Sequence, residues 1–88
     1  MSTVKIYAVY LGGQYPDGRF GEEHQTVFVA ATSKSEAKTL SRLKWIGNPD
    51  SVHVDSILEL DVIDGFKIVL EPTRQDDQVE IVDGYSAY

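Results

Sequence analysis

The chain has 88 residues, no cysteine and a formal net charge of −6. That length holds one domain, near the lower end of what a single core can stabilise, and the missing thiols exclude disulfides, thiolate metal sites and cysteine nucleophiles. They also agree with a reducing cytoplasm, while the acidic balance argues against a surface built to wrap nucleic acid.

The N-terminus, MSTVKIYAVYLGG, carries a short apolar run interrupted by Lys5, with no basic leader and no A-x-A site. It reads as a strand and not a signal peptide, and no run approaches membrane-spanning length. Within Val4–Leu11, Val4, Ile6, Ala8 and Tyr10 alternate with Lys5, Tyr7, Val9 and Leu11. Both sets are largely apolar, which predicts a strand inside the sheet. The even set is assigned to the core, and Tyr7, Val9 and Leu11 to the face away from the helix.

Gly12–His24 contains Gly12, Gly13, Pro16, Gly18 and Gly21 and reads as a long loop. A glycine pair after a strand also opens phosphate-binding turns, but those feed directly into a helix, and here a second strand follows. That strand is Gln25–Ala31; its pattern leaves open whether Val27, Val29 and Ala31 or Phe28 and Ala30 face inward.

A helix begins next, with Ser33 as N-cap and Glu36 three residues on as its capping-box partner. Ala37, Leu40 and Leu43 fall on one side, Lys34, Lys38 and Arg42 on the other, and the regular helix ends around Lys44. Trp45 projects near the basic stripe. Three cations beside an indole suit a phosphate backbone or an acidic partner, although the ordinary role of such a stripe is a solvated helix face.

Gly47, Asn48, Pro49 and Asp50 turn the chain into Val52–Leu70, which reads as a β-hairpin. Val52, Val54, Leu58, Leu60 and Val62 form its apolar face, with His53, Asp55, Glu59 and Asp61 on the other. A two-residue Asp64-Gly65 loop would pair Ile63 with Phe66 and put Leu60 on the face opposite Phe66 and Ile68. A three-residue loop, Ile63-Asp64-Gly65, pairs Val62 with Phe66, Leu60 with Ile68 and Leu58 with Leu70, and sets Asp61 opposite Lys67; it is the register expected, with Gly65 alone in the left-handed conformation of a type I turn plus bulge. Residues 72–88 form an acidic tail holding Asp76, Asp77, Glu80 and Asp83 against Arg74 alone. Its Val79–Tyr85 echoes Asp61–Phe66, so an added strand and a plain polar extension both stay open.

His53 and Asp55, two apart in a strand, point the same way about 7 Å apart. His24 stands at the start of strand two beside Glu22 and Glu23. If strands two and three lie close, two imidazoles and their carboxylates converge into a zinc- or iron-type site at His24, His53 and Asp55. The plainer alternative is a pair of solvent-facing strand residues and a histidine bonded to the glycine loop. No nucleophile accompanies them, since Ser56 reads onto the strand face opposite His53, and a hydrolytic triad is unsupported.

Leu11-Gly12-Gly13, Tyr15-Pro16-x-Gly18, Phe20-Gly21-Glu22-x-His24, His53-Val54-Asp55 and Val62-x-Asp64-Gly65-Phe66 together resemble the bacterial domain-of-unknown-function 1543 family. The resemblance covers about residues 4–70. Members of that family often carry two such units where this chain has one, and often an aromatic where it has Ile57. The resemblance implies a fold and no activity.

The fold predicted is α+β: a β-β-α-β-β unit over residues 1–71, with one four-stranded, largely antiparallel sheet and the helix on one face. The predicted core is Val4, Ile6, Ala8, Tyr10, Ala37, Leu40, Leu43, Val52, Val54, Leu58, Leu60, Val62, Phe66, Ile68 and Leu70. One helix shields one sheet face only, so the other, with Tyr7, Val9, Leu11, Ile57 and Val69, is expected to be covered, by a second copy of the chain or by the tail. Two functions remain open. One is a non-catalytic protein-interaction module, a homodimer with an unknown protein partner, no cofactor, and no membrane or nucleic acid. The other is a small metal- or ligand-binding enzyme at His24, His53 and Asp55, with Glu22 beside them.

Overall fold

The computed structural model describes residues 3–16 and 21–73. β1 (Lys5–Gly13), β2 (Glu23–Ala31) and β3 (His53–Leu60) form a three-stranded sheet in the order β2-β1-β3. β1 is antiparallel to both neighbours, so β2 and β3 run the same way and begin at the same end of the sheet. α1 (Lys34–Arg42) connects them across one face. Among the described residues no helix is long and apolar enough to cross a membrane.

α1 starts where its signals place it. The Glu36 amide donates to Ser33 Oγ at 3.1 Å, and the Glu36 carboxylate accepts from the Thr32 amide at 2.7 Å and the Thr32 hydroxyl at 2.9 Å. The carboxylate thus reaches one residue further back than in the reciprocal capping box. α1 buries Ala37 and Ser41, and Leu40 packs beside them. The Ser41 hydroxyl is satisfied by the Lys38 carbonyl at 2.9 Å. Leu43, predicted inside, is the C-cap and 78% exposed, because the chain leaves the helix there and turns Trp45 inward in its place.

The core is Tyr7, Val9, Leu11, Val27, Val29, Ala31, Ala37 and Trp45, with Tyr15, Leu40, Val52, Val54 and Ile57 packed against it. Fully burying side chains such as Val9 and Leu11 contributes about 1.5–3 kcal/mol each. The helix therefore covers the odd face of β1, and the even set predicted inside lies on the opposite face. β1 is apolar on both sides, so its own alternation carries no direction; the choice is made by β2, whose Val27, Val29 and Ala31 stand on the odd side.

The predicted four-stranded sheet is not formed. β3 makes its ladder with β1, leaving a separate two-stranded ribbon, β4 (Val62–Ile63) with β5 (Phe66–Lys67). Its register pairs Val62 with Lys67 and Ile63 with Phe66 around a two-residue Asp64-Gly65 loop, and not Val62 with Phe66, Leu60 with Ile68 or Leu58 with Leu70. Asp64 and Gly65 both have positive φ, 54° and 84°, as the primed turns that match hairpin twist require. The Ile68 amide bonds the Asp61 carbonyl at 2.8 Å, and Asp61 faces Lys5 at 3.7 Å instead of standing opposite Lys67. Val62 and Phe66, predicted as core, are 59% and 75% exposed. Of the 72–88 tail, all beyond Thr73, and with it the added strand left open above, lies outside the described residues.

Candidate functional site on the open face of the sheet

Opposite the helix, the even residues of β1 and their partners form four rows. Ile6 lies between Ala30 and Leu60, Ala8 between Phe28 and Leu58, Tyr10 between Thr26 and Ser56, and Gly12 between His24 and His53. The face thus runs from apolar through hydroxyl-bearing to ionisable. Phe28, Leu58 and Tyr10 are 53%, 60% and 42% exposed. Beyond the first row the arm after β5 leaves a groove of about 520 Å³, lined by Ile6, Ala30, Leu60, Ile68, Leu70 and Pro72 among others.

A β-bulge makes the ionisable row. Tyr10 pairs with Ser56 but Leu11 with Val54, so Asp55 is the extra residue. The parity of β3 changes at that point. Val54 and Ile57 both pack on the core, while His53 at one end and Leu58 and Leu60 at the other share the open face. A strand without the bulge has Val54, Leu58 and Leu60 on one side, which is the reading the sequence invites. Ser56 consequently stands on the same face as His53, not the opposite one. Among the described residues no hydrogen bond joins its hydroxyl to either histidine.

Since β2 and β3 begin at the same end, Glu22 and His24 meet His53 and Asp55 across the end of β1. His53 Nε2 is 2.8 Å from Glu22 Oε2 and 3.0 Å from Asp55 Oδ1. His24 Nε2 is 3.3 Å from Asp55 Oδ2 and 3.7 Å from Glu22 Oε1. Each carboxylate thus spans both imidazoles. Glu22, His53 and Asp55 each offer a ligand atom within 4.8 Å of the others. The His24 ring stacks on Tyr10, centroids 4.9 Å apart and planes 4° from parallel. Tyr10, read from the sequence as core, is therefore a wall of this cluster.

Gly12 is the floor, a position sequence reasoning assigned to a loop. It lies in β1, buried, and its φ is outside the left-handed region. A Cβ there falls 2.8 Å from Asp55 Oδ2, 3.0 Å from His53 Nε2 and 3.2 Å from Glu22 Oε2. Glycine weakens a strand interior, and its presence there often marks the close approach of another group. The signal available in the sequence was a glycine directly following an otherwise unbroken strand pattern.

Lys34, Lys38 and Arg42 stay on the helix, exposed and away from this face. Trp45 is not beside them: its ring is buried against Tyr15, and its Nε1 donates to the Asn48 carbonyl at 3.0 Å. The cations therefore lack the aromatic partner predicted for them.

The family model for a Domain of Unknown Function (DUF1543) matches residues 19–70. The chain belongs to this family. The DUF1543 match includes β2, α1, β3 and the ribbon, and with them Glu22, His24, His53 and Asp55, and begins after β1 and its Gly12. No curated protein and no solved structure matches the chain.

Proposed function

We propose that this domain is a non-catalytic interaction module whose docking surface is the open sheet face and whose partner is a second copy of the chain. The observation that carries the reading is the exposure of Phe28, Leu58 and Tyr10 on adjacent rows of a face that α1 does not cover. Each copy offers three strands about 4.8 Å apart and nine residues of about 3.3 Å, or roughly 430 Å² of flat face. That is about half of the ~800 Å² per partner typical of a stable complex, which supports an association of the weak, reversible class. Symmetric pairing is the commonest form of oligomer and lets one patch serve both partners. The absence of cysteine supports a cytoplasmic setting.

Light scattering across a dilution series tests this on full-length protein. The weight-average mass should rise from monomer toward dimer with concentration, and a Phe28→Glu, Leu58→Glu double variant with an unchanged circular dichroism spectrum should stay monomeric. A wild-type mass fixed at the monomer value at every concentration, or a variant that still dimerises, overturns the reading.

A further inference from the structure

We infer that Glu22, His24, His53 and Asp55 form a binding site for one divalent ion of the zinc type. The inference stands on the cluster alone and does not need the dimer. Around the ring, nitrogen and oxygen alternate: His53, Glu22, His24, Asp55 and back to His53, with edges of 2.8, 3.7, 3.3 and 3.0 Å. Four ligands at the 2.0–2.2 Å zinc bond lengths, arranged tetrahedrally, stand about 3.3–3.6 Å from one another. The edges bracket that value, and each carboxylate reaches the two histidines through different oxygens. Glu22, His53 and Asp55 have ligand atoms that all lie within 4.8 Å of one another, and His24 completes the set by turning inward.

Hydrogen bonding alone does not satisfy the ring. Each Nε2 faces two carboxylate oxygens and carries at most one proton, so two of the four contacts lack a hydrogen to share. A dication held by Glu22, His53 and Asp55 replaces the missing hydrogens and offsets the two carboxylate charges. The hollow is already present, because the point where a side chain at Gly12 would begin lies 2.8–3.2 Å from donors of Asp55, His53 and Glu22.

Donor chemistry selects the ion. Two imidazoles with two carboxylates suit zinc and its borderline neighbours; magnesium and calcium favour all-oxygen sites, and copper(I) favours sulfur. The fold contributes the rest. β2 and β3 are not paired in the sheet, so an ion held by both would clasp the two outer strands across β1.

Calorimetric titration of the full-length chain with zinc chloride tests the site. The expected result is saturation at one ion per chain, no heat from magnesium chloride, and binding at least tenfold weaker in His53→Ala and Gly12→Ala. Asp50→Asn, an exposed acid outside the ring, should bind as wild type. Circular dichroism without metal establishes that each variant is folded; should Gly12→Ala fail to fold, Asp55→Asn takes its place. No saturable binding to the wild type, or binding that His53→Ala and Gly12→Ala leave unchanged, overturns the inference.

Discussion

Trp45 shows how one side chain is fixed by its surroundings. A Cβ on Gly47 would lie 2.6 Å from the indole and one on Gly13 2.9 Å from it, so two glycines clear the space that the ring fills. Trp45→Ala removes a large part of a small core and should cost about 3–5 kcal/mol in urea denaturation. Against a total of about 5–15 kcal/mol for a domain, that leaves a marginal fold. As the only tryptophan, it also reports unfolding by a red shift of its emission. At Gly65 the space is open and only conformation matters, since a Cβ there would meet no atom within 4 Å but φ is 84°. Gly65→Ala should therefore destabilise the ribbon by about 1 kcal/mol, read as faster hydrogen exchange at the Ile68 amide. An unchanged rate would mean that the turn relaxes without strain.

Among the elements, α1 was the most legible in the sequence, because caps and periodicity are local. Ser33→Ala should cost about 1 kcal/mol, measured by urea midpoint. The Thr32 amide, and then its hydroxyl, hold the Glu36 carboxyl below its ordinary range. The stabilisation is thus present above the ordinary glutamate range and lost as pH falls through the lowered value. Glu36→Gln should be less stable than wild type near neutrality, with the gap closing in acid; a gap that persists in acid would contradict this. The positions of β1, β2 and β3 were legible too. Which way β1 faces was not, since Val4–Leu11 is apolar on both sides and the decision rests on partners distant in sequence. The ribbon register failed for a related reason: Asp64 takes the second left-handed position that the pattern had reserved for glycine alone. The bulge at Asp55 left no local mark, and without it Val54 and Leu58 read as one face. His24, His53, Asp55 and Glu22 could be named from residue type, whereas their meeting over Gly12 required the strand order.

At the scale of the molecule, one helix over three strands leaves two outer strands and one broad face. Lys44 Nζ bonds the Phe28 carbonyl at 2.6 Å, and the Gln25 side chain ties β2 to the Lys44 carbonyl and the Ile46 amide, so the β2 edge is partly closed. Closing an edge in this way discourages strand-to-strand growth at β2. Leu43 and Ile46, 78% and 65% exposed near the end of α1, are a competing apolar surface. Amide chemical shifts followed through a dilution series of the wild-type chain distinguish the two. Concentration-dependent shifts at Ala8, Tyr10, Phe28 and Leu58, with Lys34–Arg42 constant, are the expected result. Shifts confined to Leu43 and Ile46, or none at any concentration, would contradict the open face as the docking surface.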